Sequence, residues 1–243
     1  MKQDKYEFEN TRFNLQTSQK VWKVVSSYMP RIKTALDLGC GMGAWSTVLE
    51  DDPEISIQMV DHPQLPKENL LVTKKECFVG IDLDKELPLK GRWDLVICIE
   101  VLEHFKEQRA LDLKDFIVQS TDLVLFSAAI PGQGGVGHVN CQRHSYWHNQ
   151  FQKAGFTYFD GFKSAIIHEE SIPFWIRQNL FIYYRPVHDN QFKGKLNYTP
   201  ANFELIHAGM LRNEIGLRMW LKLAPKLIGN YFKKLLKGYK NNG

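Results

Sequence analysis

Ala35-Leu-Asp-Leu-Gly-Cys-Gly-Met-Gly43 is an apolar run that ends in three glycines at alternate positions and then passes into helix-forming sequence. This reads as a strand, a tight turn and a helix start. Glycine tolerates positive φ and lets the backbone approach a ligand that a Cβ would exclude, so the turn suits a cofactor held at the carboxyl edge of a sheet. A second signal lies downstream. Ile55-Ser-Ile-Gln-Met-Val60 alternates like a strand and ends at Asp61. That is about 20 residues past the glycines, where a carboxylate can accept both hydroxyls of a ribose. Taken alone, the glycine turn also fits an ordinary strand-to-helix connection. The turn and the acid together point to a nucleoside-bearing cofactor.

The spacing Gly39-x-Gly41-x-Gly43 is one residue tighter than the dinucleotide pattern Gly-x-Gly-x-x-Gly, whose helix N-terminus meets a pyrophosphate. Two further segments follow: Cys77-Phe-Val-Gly-Ile-Asp82-Leu83, and Arg92-Trp-Asp-Leu-Val-Ile-Cys-Ile-Glu100-Val-Leu-Glu103-His104-Phe, whose Leu95 to Ile99 run reads as a buried strand. With Asp37 leading in and Asp61 trailing, this ordered set resembles the class I S-adenosylmethionine (SAM) methyltransferases over residues 30 to 160. The resemblance implies SAM as cofactor. It implies a cofactor site built from Asp37, Gly39, Cys40, Gly41, Gly43, Asp61, His62, Asp82, Leu83 and Glu100, with the Asp82 carboxylate on the adenine amino group and Leu83 as an apolar wall.

Periodicity sets the organisation. Val21, Val24, Val25 and Tyr28 form one stripe of a leading helix over Thr17 to Met29. Strands are expected at 35–38, 55–60, 77–81, 94–99, 122–127, 156–162 and 180–185, with helices at 44–50, 107–119 and 142–154. Strands alternating with helices predict an α/β, doubly wound, mostly parallel sheet of seven strands. By resemblance the order is 3-2-1-4-5-7-6 with the seventh strand antiparallel. Residues 1–185 form the expected methyltransferase domain, and residues 186–243 a helical, basic C-terminal extension.

At 243 residues, with 44% hydrophobic and 24% charged residues, the composition suits a globular chain with one full core. The charged N-terminus and the lack of a run of roughly 18 apolar residues argue against a secretion signal or a membrane span, so a cytoplasmic location is expected. Cys40, Cys77, Cys98 and Cys141 lie far apart and read as reduced thiols. Residues 217–243 hold seven basic and no acidic residues, which against a whole-chain charge of +4 leaves −3 on residues 1–216. The basic residues alternate with apolar ones at helical spacing. That suits either peripheral contact with the anionic inner face of a membrane or a terminal helix docked on the body.

The acceptor side is expected past the fourth and fifth strands, outside their carboxyl ends. There the chain runs Ala128-Ala-Ile-Pro-Gly-Gln-Gly-Gly-Val-Gly-His138-Val-Asn140, a glycine-rich loop suited to a lid, the alternative being a floppy loop with an exposed histidine. Methyl transfer is an in-line displacement, so the protein aligns the nucleophile and removes its proton. His138 and His104 are the candidate bases, His138 preferred. Glu100, Glu103 and His104 stand at i, i+3, i+4, on one face if a helix begins by residue 100. The Glu-x-x-Glu-His pattern resembles that of the polyprenyl-quinone O-methyltransferases, which implies a divalent magnesium or manganese ion at these positions; a helix cap and a polar pocket are the alternative. Phe126 to Trp147 and Arg177-Gln-Asn-Leu-Phe181 resemble bacterial methyltransferases associated with surface-glycan modification. The expected reaction is methylation of a hydroxyl on a small carbohydrate acceptor, a sugar or sugar nucleotide. A nucleic-acid methyltransferase fits less well, because Ile-Glu-Val-Leu-Glu stands where amine-methylating DNA enzymes have Asn/Asp-Pro-Pro-Tyr; a non-catalytic SAM-binding regulator is the remaining alternative.

Overall fold

In a computed structural model, residues 11–88 and 90–187 are described. Apart from Pro186 and Val187, the basic extension lies outside them. The elements run α1 (Thr11–Val25), β1 (Thr34–Leu38), α2 (Ala44–Leu49), β2 (Ser56–Asp61), β3 (Phe78–Gly80), β4 (Leu95–Ile99), α3 (Glu107–Ser120), β5 (Leu123–Ser127), α4 (His144–Lys153), β6 (Thr157–Phe159), α5 (Lys163–Ile166), α6 (Phe174–Asn179) and β7 (Phe181–Tyr184).

The central strands are apolar at nearly every position because helices cover both faces of the sheet. Alternation still sorts their side chains. Leu36, Leu38, Val96, Cys98, Val124 and Phe126 join one core with Leu113 and Ile117 of α3 and Trp147 and Phe151 of α4. Ala35, Leu95, Ile97, Leu123 and Leu125 join the other with Val21 and Val25 of α1 and Ile176 of α6. The charged exception is Asp37, a buried acid in β1 whose carboxylate accepts a 2.7 Å hydrogen bond from Ser46 Oγ of α2. Burial pushes its pKa up to about 7.

The seven strands form one sheet in the order β3-β2-β1-β4-β5-β7-β6. β1 to β5 pair in parallel, whereas β7 runs antiparallel to both β5 and β6. The chain reverses direction in the order between β1 and β4, so the glycine turn after β1 and the loops after β4 and β5 meet at one edge. Ser127, at the end of β5, accepts the Glu100 N–H at the end of β4 through both its backbone oxygen (3.0 Å) and its hydroxyl (3.1 Å). Expected and observed elements differ at several places: the leading helix spans Thr11–Val25 and not 17–29, and the sixth strand is only Thr157–Phe159. No helix begins by residue 100: Glu100 sits at φ 54, residues Leu102–His104 form a single 3-10 turn, and α3 starts only at Glu107. The short helices α5 and α6, between β6 and β7, carry too few residues to show a periodic stripe in sequence. No helix among the described residues is long and apolar enough to cross a membrane.

Candidate active site

Asp61 joins the two sequence signals physically. Its Oδ2 accepts the Gly41 N–H at 2.7 Å and its Oδ1 the His62 N–H at 2.6 Å. Each oxygen keeps a lone pair for a further donor. Burial raises the Asp61 pKa, and the two backbone donors pull it back. The turn is held from below as well, since the N–H groups of Gly39 and Cys40 both donate to Val60 O.

Two cavities open on either side of this turn and share Gly39, Gly41 and Glu100. One, of about 240 Å³, is bounded by Asp61, His62, Asp82, Leu83, Val101, His104 and Phe105. Asp82 is held by Lys85 in an ion pair at 2.5 Å, which pulls its pKa down, and the imidazole of His62 lies 3.7 Å away. The other, of about 250 Å³, lies behind the turn, between Thr17 of α1, Trp45 of α2 and Trp175 of α6. Cys40 lines it, and burial pushes its thiol pKa far up, so it is an uncharged wall. Asp37 and Gly43 line neither cavity: Asp37 is turned to Ser46, and Gly43 caps α2 with its Cα against Met59.

Glu100 occupies the left-handed region that non-glycine residues rarely adopt, a conformation that costs on the order of 1–3 kcal/mol and persists only where the surroundings enforce it. The bonds to Ser127 enforce it from the backbone side. On the side-chain side, Gln133 Nε2 donates to Glu100 Oε2 at 2.6 Å and Asn179 Nδ2 donates to Gln133 Oε1 at 2.6 Å. Asn179 Oδ1 lies 3.0 Å from His144 Nε2 and accepts from Gln178 Nε2 at 2.9 Å. The Glu100 carboxylate is thus held by an amide network.

The cluster that does form is Glu103, His104 and His138, whose ligand-capable atoms all lie within 4.8 Å of one another. It differs from the expected trio of Glu100, Glu103 and His104, because that trio assumed a helical face the chain does not form. Glu103 is fully buried. Its Oε1 accepts the Ala129 N–H at 3.1 Å and lies 3.9 Å from His138 Nε2, while its Oε2 has no partner. Burial, then the charge of Glu100, drive the Glu103 pKa well up. His104 and His138 meet edge to face with centroids 4.8 Å apart. Both have lowered pKa values, from burial foremost and, for His138, from the charge of His104. Both imidazoles are therefore neutral at physiological pH.

The glycine loop is tied down at each end. Gln133 hooks it to Glu100, and the N–H groups of Val139 and Asn140 donate to Glu103 O at 2.9 and 3.0 Å. His138 is not the exposed histidine of a floppy loop: its side chain is 13% exposed. A Cβ on Gly135 would lie 2.3 Å from His138 Cε1, so this glycine exists to let the ring lie against the backbone. Gln133 and Asn179 lie in the segments 126–147 and 177–181 but are not marked as site residues by the sequence, and Thr17 carries no motif.

Residues 16–115 match the sequence model of a family described as a methyltransferase domain. The described residues have the class I methyltransferase fold. Among solved structures, the domain is similar to an O-methyltransferase family protein from Burkholderia thailandensis (15% identity, 72% of this chain and 57% of that one, TM-score 0.52). It is also similar to the magnesium protoporphyrin IX methyltransferase of Synechocystis with SAM bound (19% identity, 72% of this chain and 80% of that one, TM-score 0.50). At these identities the likeness is one of fold. The chain spans 57% of the Burkholderia protein's length. No curated protein matches by sequence.

Proposed function

We propose that the chain transfers the methyl group of SAM to a hydroxyl of a small acceptor, a sugar or sugar nucleotide. The observation that carries this reading is the Asp61 carboxylate seated on the Gly41 N–H between two cavities, with the Glu103–His104–His138 cluster next to the cofactor side. The residues fit the cofactor. A Cβ built on Gly41 meets nothing within 4 Å, so the turn offers open backbone where a ligand can lie. In this reading Asp61 accepts the ribose hydroxyls and Asp82 the adenine amino group, while Leu83 and Phe105 sandwich the ring. The amino-acid end passes behind the turn toward Glu100. SAM supplies a sulfonium, a methyl donor with a neutral leaving group. It needs no further activation from the protein.

The acceptor hydroxyl is then the group that needs help. The neutral imidazole of His138 takes its proton, and the buried Glu103 carboxyl, 3.9 Å from Nε2, orients the ring. Ala129 N–H and the loop backbone hold Glu103 in place for this. Alignment contributes the rest, since a near-attack geometry is worth several kcal/mol, on the order of 7–11 at best. A second reading is favoured by one observation: Glu103 Oε2 is buried without a partner beside two neutral imidazoles. That donor set, one carboxylate and two imidazoles, suits a transition ion such as manganese better than magnesium, with Glu103, His104 and His138 as ligands. Such an ion, when bound, would supply Lewis-acid polarisation of the acceptor hydroxyl. The sugar class is supported by the resemblance of the segments 126–147 and 177–181 to methyltransferases associated with surface glycans.

The test is turnover of SAM against a panel of sugars and sugar nucleotides, read as a one-methyl mass increase, before and after dialysis against a chelator. Methylation that survives chelation removes the ion and leaves the proton to a histidine base, His138 if His138→Ala abolishes turnover and His104→Ala does not. Methylation restored only by magnesium or manganese assigns the trio to the ion. No methylated product from any hydroxyl acceptor would remove the reading.

A further inference from the structure

Thr17 and Ser18 are neighbours on α1, and both are buried. Their hydroxyls differ. Ser18 Oγ lies 2.7 Å from Ala44 O and 2.9 Å from Leu15 O, which ties α1 to the first turn of α2 just past the glycines. Thr17, 4% exposed, has no hydrogen-bond partner for Oγ1. Inside a helix a threonine hydroxyl ordinarily turns to a carbonyl one turn back, and this one does not. A buried hydroxyl left unpaired has lost its water without compensation. Unlike the unpaired core hydroxyls of Tyr183 and Tyr184, the Thr17 side chain lies on a cavity that a ligand can enter.

The place of Thr17 says what that ligand is. Thr17 lines the 250 Å³ cavity behind the glycine turn together with Glu100 and the residues from Gly39 to Met42. The remaining walls are apolar or aromatic, Trp45, Trp175 and Ile176 among them. If SAM lies as proposed, its zwitterionic end enters this space. The ammonium is attracted to Glu100. The carboxylate is repelled by Glu100 and needs a donor elsewhere in the cavity. We infer that the Thr17 hydroxyl donates to the carboxylate of the cofactor's amino-acid tail and so selects cofactors that carry the tail. The inference rests on the SAM reading and adds to it a recognition residue outside every sequence motif.

The consequence is a trade between two measurements. Thr17→Val keeps the β-branched shape and deletes the hydroxyl. Without ligand the variant should melt higher, by about 2–4 °C for each kcal/mol of relieved burial. Its affinity for S-adenosylhomocysteine should fall about tenfold, the worth of one hydrogen bond to a charged group. Its affinity for 5′-methylthioadenosine, which has the same nucleoside and no amino-acid tail, should not change. Thr17→Ser, which restores the hydroxyl, should recover S-adenosylhomocysteine binding to within about twofold of the original protein. Equal loss for both ligands in Thr17→Val would mean a deformed pocket and overturn the inference, as would unchanged S-adenosylhomocysteine affinity. Failure of the unsubstituted protein to bind either ligand would overturn the SAM reading itself, before Thr17 is in question.

Discussion

Gly41→Ala and Gly43→Ala place the same methyl group two residues apart, and the structure expects them to fail differently. Both positions are left-handed, at φ 53 and φ 81, so each alanine carries a backbone strain of about 1–2 kcal/mol. There the likeness ends. At Gly41 the new Cβ meets no atom within 4 Å, and the methyl enters the space that both cavities share. At Gly43 it would lie 2.6 Å from Met59 Cε and 3.4 Å from Val72 Cγ1. Met59 is fully buried in a small core with Phe78 and Leu70, so its side chain cannot simply swing away, and overpacking adds about 1–3 kcal/mol. Gly43→Ala should therefore cost roughly 2–5 kcal/mol in urea unfolding, against about 1–2 for Gly41→Ala. Calorimetry with SAM should reverse the ranking: Gly41→Ala should lose at least about tenfold in affinity, and folded Gly43→Ala should bind nearly as the original protein does. Full SAM affinity in Gly41→Ala would show that the cofactor does not lie on this turn. Equal stability of the two variants would show that the Met59 packing argument is wrong.

Asp37→Asn should become more stable relative to the original protein as pH rises. The buried carboxyl titrates near 7 in the folded chain against 3.8 in the unfolded one, so the folded state holds the extra proton and its stability is lost as pH rises through that window. The difference between pH 5 and pH 8 should be roughly 2–3 kcal/mol by urea denaturation, and a flat difference would count against a protonated Asp37. His104 and His138 act with the opposite sign. Their folded pKa values lie below 6.5, so the stability they contribute is present above about 6.5 and falls as pH drops toward the folded values, and turnover should rise along a limb centred below 6.5. A rate limb centred above 6.5 in a pH–rate profile would exclude both as the base.

What the sequence made legible was local. The glycine turn, Asp61 and Asp82 are each fixed by spacing from an apolar strand, and the parallel pairing of β1 with β2 brings Asp61 within 2.7 Å of the Gly41 nitrogen. The strands were equally legible, since runs such as Leu95 to Ile99 have no other stable place than between two helical layers. The arrangement after β4 was not. Helical spacing suggested a shared face for Glu100, Glu103 and His104, but the left-handed Glu100 is set by Ser127 at the end of β5, a contact no local pattern encodes. His138 reaches Glu103 only because the loop after β5 returns over the turn after β4, and Asn179 reaches Gln133 only because β7 inserts beside β5. Thr17 was hidden for a different reason. A threonine on an amphipathic helix is unremarked until the absence of its partner can be counted.

The most direct measurement is titration calorimetry of S-adenosylhomocysteine into the intact protein and into Asp61→Asn, with circular dichroism of both. The substitution removes the negative charge that faces the ribose and leaves one oxygen for the Gly41 N–H. Saturable one-to-one binding by the intact protein, weakened at least about tenfold in a folded Asp61→Asn, is the predicted result, from a charge-assisted hydrogen bond of roughly 1.5–3 kcal/mol. Absence of saturable binding in the intact protein, or equal affinity in the two, would contradict the account.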